Sequence, residues 1–189
     1  MARTPTKQPT LLTKRLRLRP FRGSDLPAMH ALYGDADNLR YWSVEASPNL
    51  ANTRKSLPWH LAYRPRHYVM WAIEERVARN GDGHGAIGMI NYHRRDLREK
   101  RVDVGWLMLP QHQGKGYATE AGRALLRYLL DKLGIHKVEA LIAPGNKPSA
   151  AVAKRLGFRL EGGPIRDRWF VSGRWLSVNI YGLLAGEER

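Results

Sequence analysis

In the stretch LPQHQGKGYATEAGRALLRYLLDKLG, Leu109 to Gly134, two glycines stand one residue apart where a loop turns into a helix. A helix N-terminus leaves about four N–H groups without partners and carries roughly half a positive charge. Glycines let a ligand approach the backbone closely and tolerate positive φ. Gly114 and Gly116 at this changeover therefore describe an anion site, with pyrophosphate as its usual occupant. Side chains of reactive type stand elsewhere: Asp103 on the strand before the loop, and Asn146 and Ser149 three residues apart at the start of a later helix. Cysteine is absent, which excludes disulfides, thiolate nucleophiles and cysteine-ligated metal. Seven histidines, at 30, 60, 67, 84, 93, 112 and 136, show no H-E-x-x-H or similar ligand spacing, so no metal is implied.

Two nucleotide motifs fit the glycines poorly. A P-loop needs G-x-x-x-x-G-K-[ST], whereas GKGYAT has no Ser or Thr after Lys115. A dinucleotide loop needs a third glycine where Thr119 stands, and it should open the first βαβ unit of the chain. A glycine-rich strand-to-helix turn without any ligand is the structural alternative.

The elements that must position these residues can be read along the chain. RLRLRPF alternates Leu16 and Leu18 with arginines, the pattern of a half-buried strand. Ser24 or Asp25 can cap a helix running to about Leu32. SPNLANTRKSLPWHLA predicts a weaker helix, interrupted or ended near Pro58. YVMWAIEE, AIGMINYH, KRVDVGWLML and KVEALIA are strands, the first two joined by a tight connection at Asn80–Gly83. Tyr117, Ala121, Ala124, Leu125, Tyr128 and Leu129 form one continuous apolar helical stripe, which Gly134 is placed to end. NKPSAAVAKRLG is a short helix with Asn146 as N-cap and Gly157 as terminator. FRLEG…DRWFV and RWLSVNIYGLL are the last two strands. The layout is mixed α/β around a central sheet, in one domain over 14–189 behind a flexible N-terminal tail, 1–13.

A chain of 189 residues, 43% apolar, is long enough to bury one core. Its net charge of +15 admits polyphosphates, nucleic acid, anionic membranes or acidic proteins as partners, and serves solubility equally well. Seven basic residues precede Asp25, yet Pro5 and Pro9 spoil an amphipathic targeting helix and no apolar run resembles a secretory signal. No segment has the apolar length to span a bilayer, and a cytoplasmic location is the default expectation.

A third pattern fits the loop. Gln111, Gly114 and Gly116 satisfy Q/R-x-x-G-x-G/A, which resembles the pyrophosphate loop of the GNAT N-acetyltransferases, users of acetyl-CoA. VDVGWLMLPQHQGKGYATEA and NKPSAAVAKRLGFRLEG resemble two signatures of one subgroup, the ribosomal-protein N-terminal (RimJ/RimL-like) acetyltransferases. RLRLRPFRGSDL and GRWLSVNIYGLL match its two ends, so the likeness runs from about residue 15 to 185. The resemblance implies a mostly antiparallel mixed sheet, splayed between the fourth and fifth strands and flanked by about four helices.

The resemblance also assigns roles. The pantetheine arm of acetyl-CoA would lie between the parted strands, against the backbone of Leu107 and Leu109. The diphosphate would sit on the amides of Gln113, Gly114, Lys115, Gly116, Tyr117 and Ala118. Asn146 would bond the pantetheine arm, or serve only as a helix cap. Ser149 would protonate the departing thiolate, or be a plain helix serine. Lys115, Lys154 and Arg155 are either phosphate contacts or solvated surface. Direct attack of an amine on the thioester needs no enzyme nucleophile, which suits a chain with neither cysteine nor a G-x-S-x-G elbow. Asp103 stands at the family's glutamate, DVGW in place of EIGY, and is the leading proton acceptor. Glu45, Asp167, His93 and Tyr181 are weaker candidates. Arg168 stands where some members have a catalytic glutamate, and Ser177 where the subgroup often has aspartate.

The acceptor is an amine. Deprotonating an α-amine at pH 7 costs about 1–1.4 kcal/mol and a lysine nearly 5, so an N-terminal amine needs only a modest base. Residues from about 41 to 67, including Trp42, Trp59, Tyr63 and Arg64, would form part of the acceptor wall. An acidic or ribosomal protein N-terminus is favoured over a polyamine or antibiotic; an inactive basic module that binds nucleic acid is the reading from another class. A monomer and a homodimer are both compatible with the sequence.

Overall fold

The structure, a computed structural model, describes residues 5–76 and 85–187. The connection expected at Asn80–Gly83, and His84, lie outside the described residues. The strands are β1 (Leu11–Leu12), β2 (Leu16–Pro20), β3 (Val69–Glu75), β4 (Ala86–Asp96), β5 (Arg101–Met108), β6 (Lys137–Ile142), β7 (Arg159–Val171) and β8 (Arg174–Leu184). The helices are α1 (Leu26–Tyr33), α2 (Ala36–Leu39), α3 (Leu50–Leu61), α4 (Tyr117–Arg127) and α5 (Lys147–Arg155). One eight-stranded sheet runs β1-β2-β3-β4-β5-β6-β8-β7, antiparallel throughout except for the β5–β6 pair.

Strand periodicity decides which helices cover which face. Leu16, Leu18, Trp71, Ile73, Val102 and Val104 point into a core shared with α4, through Ala121, Leu125 and Leu129, and with α5, through Ala153. Ala72, Met89 and Leu107 point the other way, onto Met29 and Leu32 of α1 and Leu39 of α2. The apolar stripe expected on α4 is buried as its spacing requires. The helix closes with a π-helical turn over Tyr128–Lys132, which keeps Tyr128, Leu129 and Leu130 on the buried side.

Three elements differ from expectation. Pro58 lies inside α3, which continues to Leu61: only the last turn follows the proline, so a single missing backbone bond is tolerated. The one-turn helix α2 has too few residues to show periodicity; Asp35 makes it by accepting from the amides of Asp37 and Asn38. Strand β1 is two residues long, and residues before it lie against the sheet: Gln8 Nε2 donates to the Met70 carbonyl at 2.7 Å and Trp71 Nε1 to the Pro9 carbonyl at 2.7 Å.

A buried ionic row fixes β2 to β3 and α1. Arg19, only 4% exposed, donates to both carboxylate oxygens of Asp25 at 2.7 and 2.8 Å and to Glu74 at 3.0 Å. Asp25 also accepts from the Arg22 amide, so it serves as a reaching carboxylate rather than as the simple cap expected of it. Burial pushes the Asp25 and Glu74 carboxyls up, but the guanidinium bonds outweigh it and hold both below their ordinary range. These two carboxylates therefore stabilise the fold above pH 4 and cease to as the pH falls through their depressed values. Arg19→Met strands the Asp25 charge and leaves Glu74 only Arg17, 2.7 Å away; it is expected to cost about 3–5 kcal/mol in urea unfolding at pH 7, the deficit shrinking below pH 4 as the carboxylates protonate.

Candidate active site

Strands β5 and β6 pair over only three residues, Arg101, Val102 and Asp103 against Lys137, Val138 and Glu139. Beyond Asp103 they part, although β5 continues to Met108 and β6 to Ile142. Each is held on its far side: β5 by β4 from Gly88 to His93, and β6 by β8 along its whole length. In an antiparallel pair only alternate residues bond to the partner, so half of β5 turns its N–H and C=O groups toward the gap. The splay thus falls where the resemblance puts it, one number higher because β1 precedes.

A cleft of about 1150 Å3 opens at the parting. Leu107 and Met108 line one wall, Asn146, Ser149 and Val152 another, and Gln113, Gly114, Gly116, Tyr117 and Ala118 the end at α4. Gly114 and Gly116 have φ of +74° and +79°, conformations that strain any side chain, and a β-carbon on Gly114 would meet nothing within 4 Å. No described side chain caps α4 at Gly116, so its first amides stay open to the cleft. Arg15, Arg123, Arg127 and Arg155 stand around the same space. An open row of amides, a ring of guanidinium groups and an unpaired strand edge fit a long, phosphorylated thiol ester such as acetyl-CoA.

Some expected positions fall elsewhere. The Leu109 amide already donates to the Ile87 carbonyl at 2.9 Å, its carbonyl accepts from the His112 amide at 2.8 Å, and the residue does not line the cleft, so it has no N–H to offer a ligand there. Lys115 and Lys154 are exposed and neither lines the cleft, whereas Arg155 does. The Gln113 side chain turns inward, donating to Asn38 Oδ1 at 3.0 Å and the Met108 carbonyl at 3.2 Å, which fastens the loop to α2 and β5. Asn146 Oδ1 accepts from the Ser149 amide at 3.2 Å, the cap reading, while both residues also face the cleft.

A second, smaller pocket of about 90 Å3 adjoins, lined by Tyr41, Trp42, Trp106 and Trp169 with Asp103, His93, Asn146 and Ser149. Asp103 and Ser149 are therefore brought together. Asp103 is 6% exposed, and burial pushes its carboxyl up to about 6; Arg94, 3.5 Å away, opposes the rise and Glu139 adds to it. His93 lies 4.0 Å from the same carboxylate, too far for a direct bond, and burial followed by Arg94 lowers it to about 4, so it is neutral at pH 7. A water or an amine N–H can span that gap. A carboxylate with pKa near 6 is ionised at neutral pH yet basic enough to take a proton.

The other candidates stand apart. Glu45 and Asp167 are exposed and line neither pocket. Tyr181 is buried in the core, and of the expected acceptor wall the start, Tyr41, Trp42 and Ser43, reaches the site while Trp59, Tyr63 and Arg64 do not. Tyr63 bonds the Pro5 carbonyl, and Trp59 points outward. Sequence reasoning missed Trp106, Trp169, Arg123 and Arg127. The arginines were findable, since i, i+4 spacing sets them one turn apart on the polar side of α4. It also missed Asn91, 5% exposed, whose Oδ1 lacks a described partner and sits 2.8 Å from where a Gly105 β-carbon would be, with Trp42 3.5 Å from the same point. Among the described residues no group of three or more metal-ligating side chains gathers, and no helix is long and apolar enough to cross a membrane.

A parted sheet with an open helix tip and an adjoining acid pocket defines an acyl-CoA-dependent transferase of the acetyltransferase type. The family model for the acetyltransferase (GNAT) domain matches residues 15–159, and the chain belongs to that family: it is an acetyl-CoA-dependent N-acetyltransferase. A GNAT acetyltransferase structure from Bacillus anthracis superposes with a TM-score of 0.78 at 25% identity, covering 94% of this chain and 99% of that one. The spermidine N(1)-acetyltransferase of Escherichia coli is 24% identical over 160 residues, 85% of this chain and 81% of its own. YdaF of Bacillus subtilis, named provisionally as a ribosomal N-acetyltransferase, is 36% identical over 100 residues, about half of each chain.

Because the Asp103 carboxyl is raised, folding works against its ionisation: nothing is lost below pH 4, and the full penalty is present above about pH 6. Asp103→Asn is expected to raise stability by up to about 3 kcal/mol at pH 7.5 and to leave it unchanged at pH 3.5, read from urea midpoints at the two pH values.

Proposed function

We propose that the acceptor is the N-terminal α-amine of a protein and that Asp103 receives its proton. Support comes chiefly from the small aromatic-walled pocket that joins Asp103 to the cleft. It admits an amine with a short substituent, and a base of pKa about 6 matches a group that gives up its proton for about 1–1.4 kcal/mol at pH 7. On this reading the RimJ/RimL-like resemblance of the two signatures and the likeness to YdaF point the same way.

The chain's own groups divide the work. The amides from Gly114 to Ala118 hold the diphosphate, with the guanidinium groups of Arg123, Arg127 and Arg155 nearby; the Gln113 amide, expected among them, donates instead to the Pro110 carbonyl at 3.1 Å. The free edge of β5 around Leu107 and the side chain of Asn146 hold the pantetheine arm. Acetyl-CoA, when bound, supplies the activated acyl carbon and a thiolate leaving group. Asp103 takes the amine proton, directly or through a water bridged to neutral His93, and the Ser149 hydroxyl returns a proton at the thiolate end. The three tryptophans keep bulk water from the reacting amine.

A polyamine acceptor is the second reading, favoured by the spermidine-acetylating relative. Charge argues against it here. Arg94 stands 3.5 Å from Asp103 and Arg40 lies 5.1 Å from the ring of Tyr41, which lines the pocket, so two cations stand beside the space that a polycation would have to enter.

Thiol release from acetyl-CoA, measured with short peptides of free N-terminus and with spermidine, separates the two. A higher kcat/KM for peptides is expected; a preference for spermidine overturns the acceptor while leaving the transfer reaction in place. Asp103→Asn is expected to lower kcat by about 10²–10⁴ with the Kd for acetyl-CoA within about twofold. The wild-type pH profile should carry one limb near 6 from Asp103 and one near 8 from the amine; only the first vanishes in Asp103→Asn, and Arg94→Gln moves it upward because Arg94 holds that pKa down.

A further inference from the structure

Much of the basic excess behind the net charge of +15 gathers in two places. One is the cleft, where Arg15, Arg123, Arg127 and Arg155 face the phosphates of the co-substrate. The other lies in residues 54–68, with four basic side chains and no acid, and in residues 93–101, with five against two. Acetyl-CoA cannot account for that second group: none of Lys55, Arg64, Arg66 and Arg98 lines the cleft.

The two segments form one surface. Arg95 Nη1 donates to the Pro65 carbonyl at 2.7 Å, and Tyr92 Oη to the same carbonyl at 2.9 Å. The turn they hold is tight, with the His67 and Tyr68 amides both bonded to the Arg64 carbonyl at 2.8 and 2.9 Å. On this anchored turn stands an aromatic platform. Trp59, 56% exposed, has its ring 5.3 Å from that of Tyr68, tilted by 32°, and the Arg64 guanidinium lies 5.8 Å from the indole. Lys55 is one helical turn before Trp59 on α3, and Arg66 is exposed at the tip of the turn. Arg98 pairs with Glu99 at 3.4 Å, but both side chains are exposed and such a contact is weak.

We infer that this surface binds a single-stranded nucleic acid: phosphates on Lys55, Arg64, Arg66 and Arg98, and one unpaired base stacked on Trp59. A flat exposed ring beside guanidinium groups on a fixed backbone is the combination that recognises unpaired nucleotides, because every base has a π-face and each phosphate a charge. An acidic peptide would satisfy the arginines and leave the indole uncovered. This reading does not depend on the identity of the amine acceptor.

The test is fluorescence anisotropy of a labelled 12-nucleotide oligouridylate with the full chain, in saturating acetyl-CoA so that the cleft is filled. Expected are binding that weakens with salt with a log–log slope of about −3, and about tenfold weaker binding by Trp59→Ala. The double variant Arg64→Ala/Arg66→Ala should weaken binding at least as much, and both variants should keep the wild-type rate of thiol release from acetyl-CoA with whichever amine the enzyme accepts. Trp59→Ala without effect, equal affinity for a duplex of the same length or for polyglutamate, displacement by acetyl-CoA, or no binding at about 0.1 M salt each overturns the proposal. A retained oligouridylate affinity in an Asp103→Asn protein that no longer acetylates supports it independently of catalysis.

Discussion

Three residue pairs hold β5 to β6, and everything the molecule does follows from there being no fourth. Unpaired strand backbone is costly to bury, so a protein that leaves a gap inside its sheet must either flood it or fill it with a ligand. The gap persists because neither strand is free to close it. Strand β5 is committed to β4 and β6 to β8, so zipping them together would slide one half of the sheet against the other. The same commitments aim the gap: α4 begins where β5 ends, and its uncapped first turn faces the opening.

The parting also sets the electrostatics of the acid. Asp103 is the last residue of β5 to pair with β6, so it is walled by backbone on both sides and then abruptly adjoins a cavity. Burial raises its carboxyl, and Arg94 at 3.5 Å keeps the rise from going so far that the group would be neutral at physiological pH. His93, held neutral by the same burial and the same arginine, accepts at Nδ1 from Asn91 Nδ2 at 3.5 Å and so turns an Nε2–H toward Asp103. A shorter acid than the family's glutamate can work in this setting, because a gap of 4.0 Å to His93 has room for one bridging water.

How much of this could be read beforehand depended on the range of the interaction. The strand order, α4 and its glycines, and the Asn146 cap were legible, because periodicity, positive φ and side-chain capping act within a few residues. The position of Asp103 beside the cleft was legible through the signature around it. The aromatic pocket was not: Tyr41 and Trp42, Trp106, and Trp169 come from three distant segments that meet only after the sheet has formed. Leu109 shows the opposite failure. Its position beside the loop suggested a free backbone, but its amide is bonded across the sheet to Ile87 and its carbonyl turns back to the His112 amide. Trp59 and Trp42 are equally aromatic in sequence, yet the turn at Pro65 holds one outward while the other closes over Gly105.

Charge then acts twice, and in opposite senses at the two mouths of the parted sheet. At the α4 end, arginines gather where an anion must be held. At the acid end, Arg94 stands 3.5 Å from the Asp103 carboxylate and Arg40 lies over the ring of Tyr41 in the pocket wall, and on the proposed function this carboxylate accepts a proton from an amine arriving as a cation. An ammonium with one charge can cross such a rim, because Asp103 offsets the repulsion at the end of its path. A molecule with further ammonium groups meets the rim again for each of them, with no second carboxylate lining the small pocket to compensate. On the proposed function, the arrangement would favour acceptors whose positive charge is confined to the reacting nitrogen, the property that separates a protein N-terminus from a polyamine.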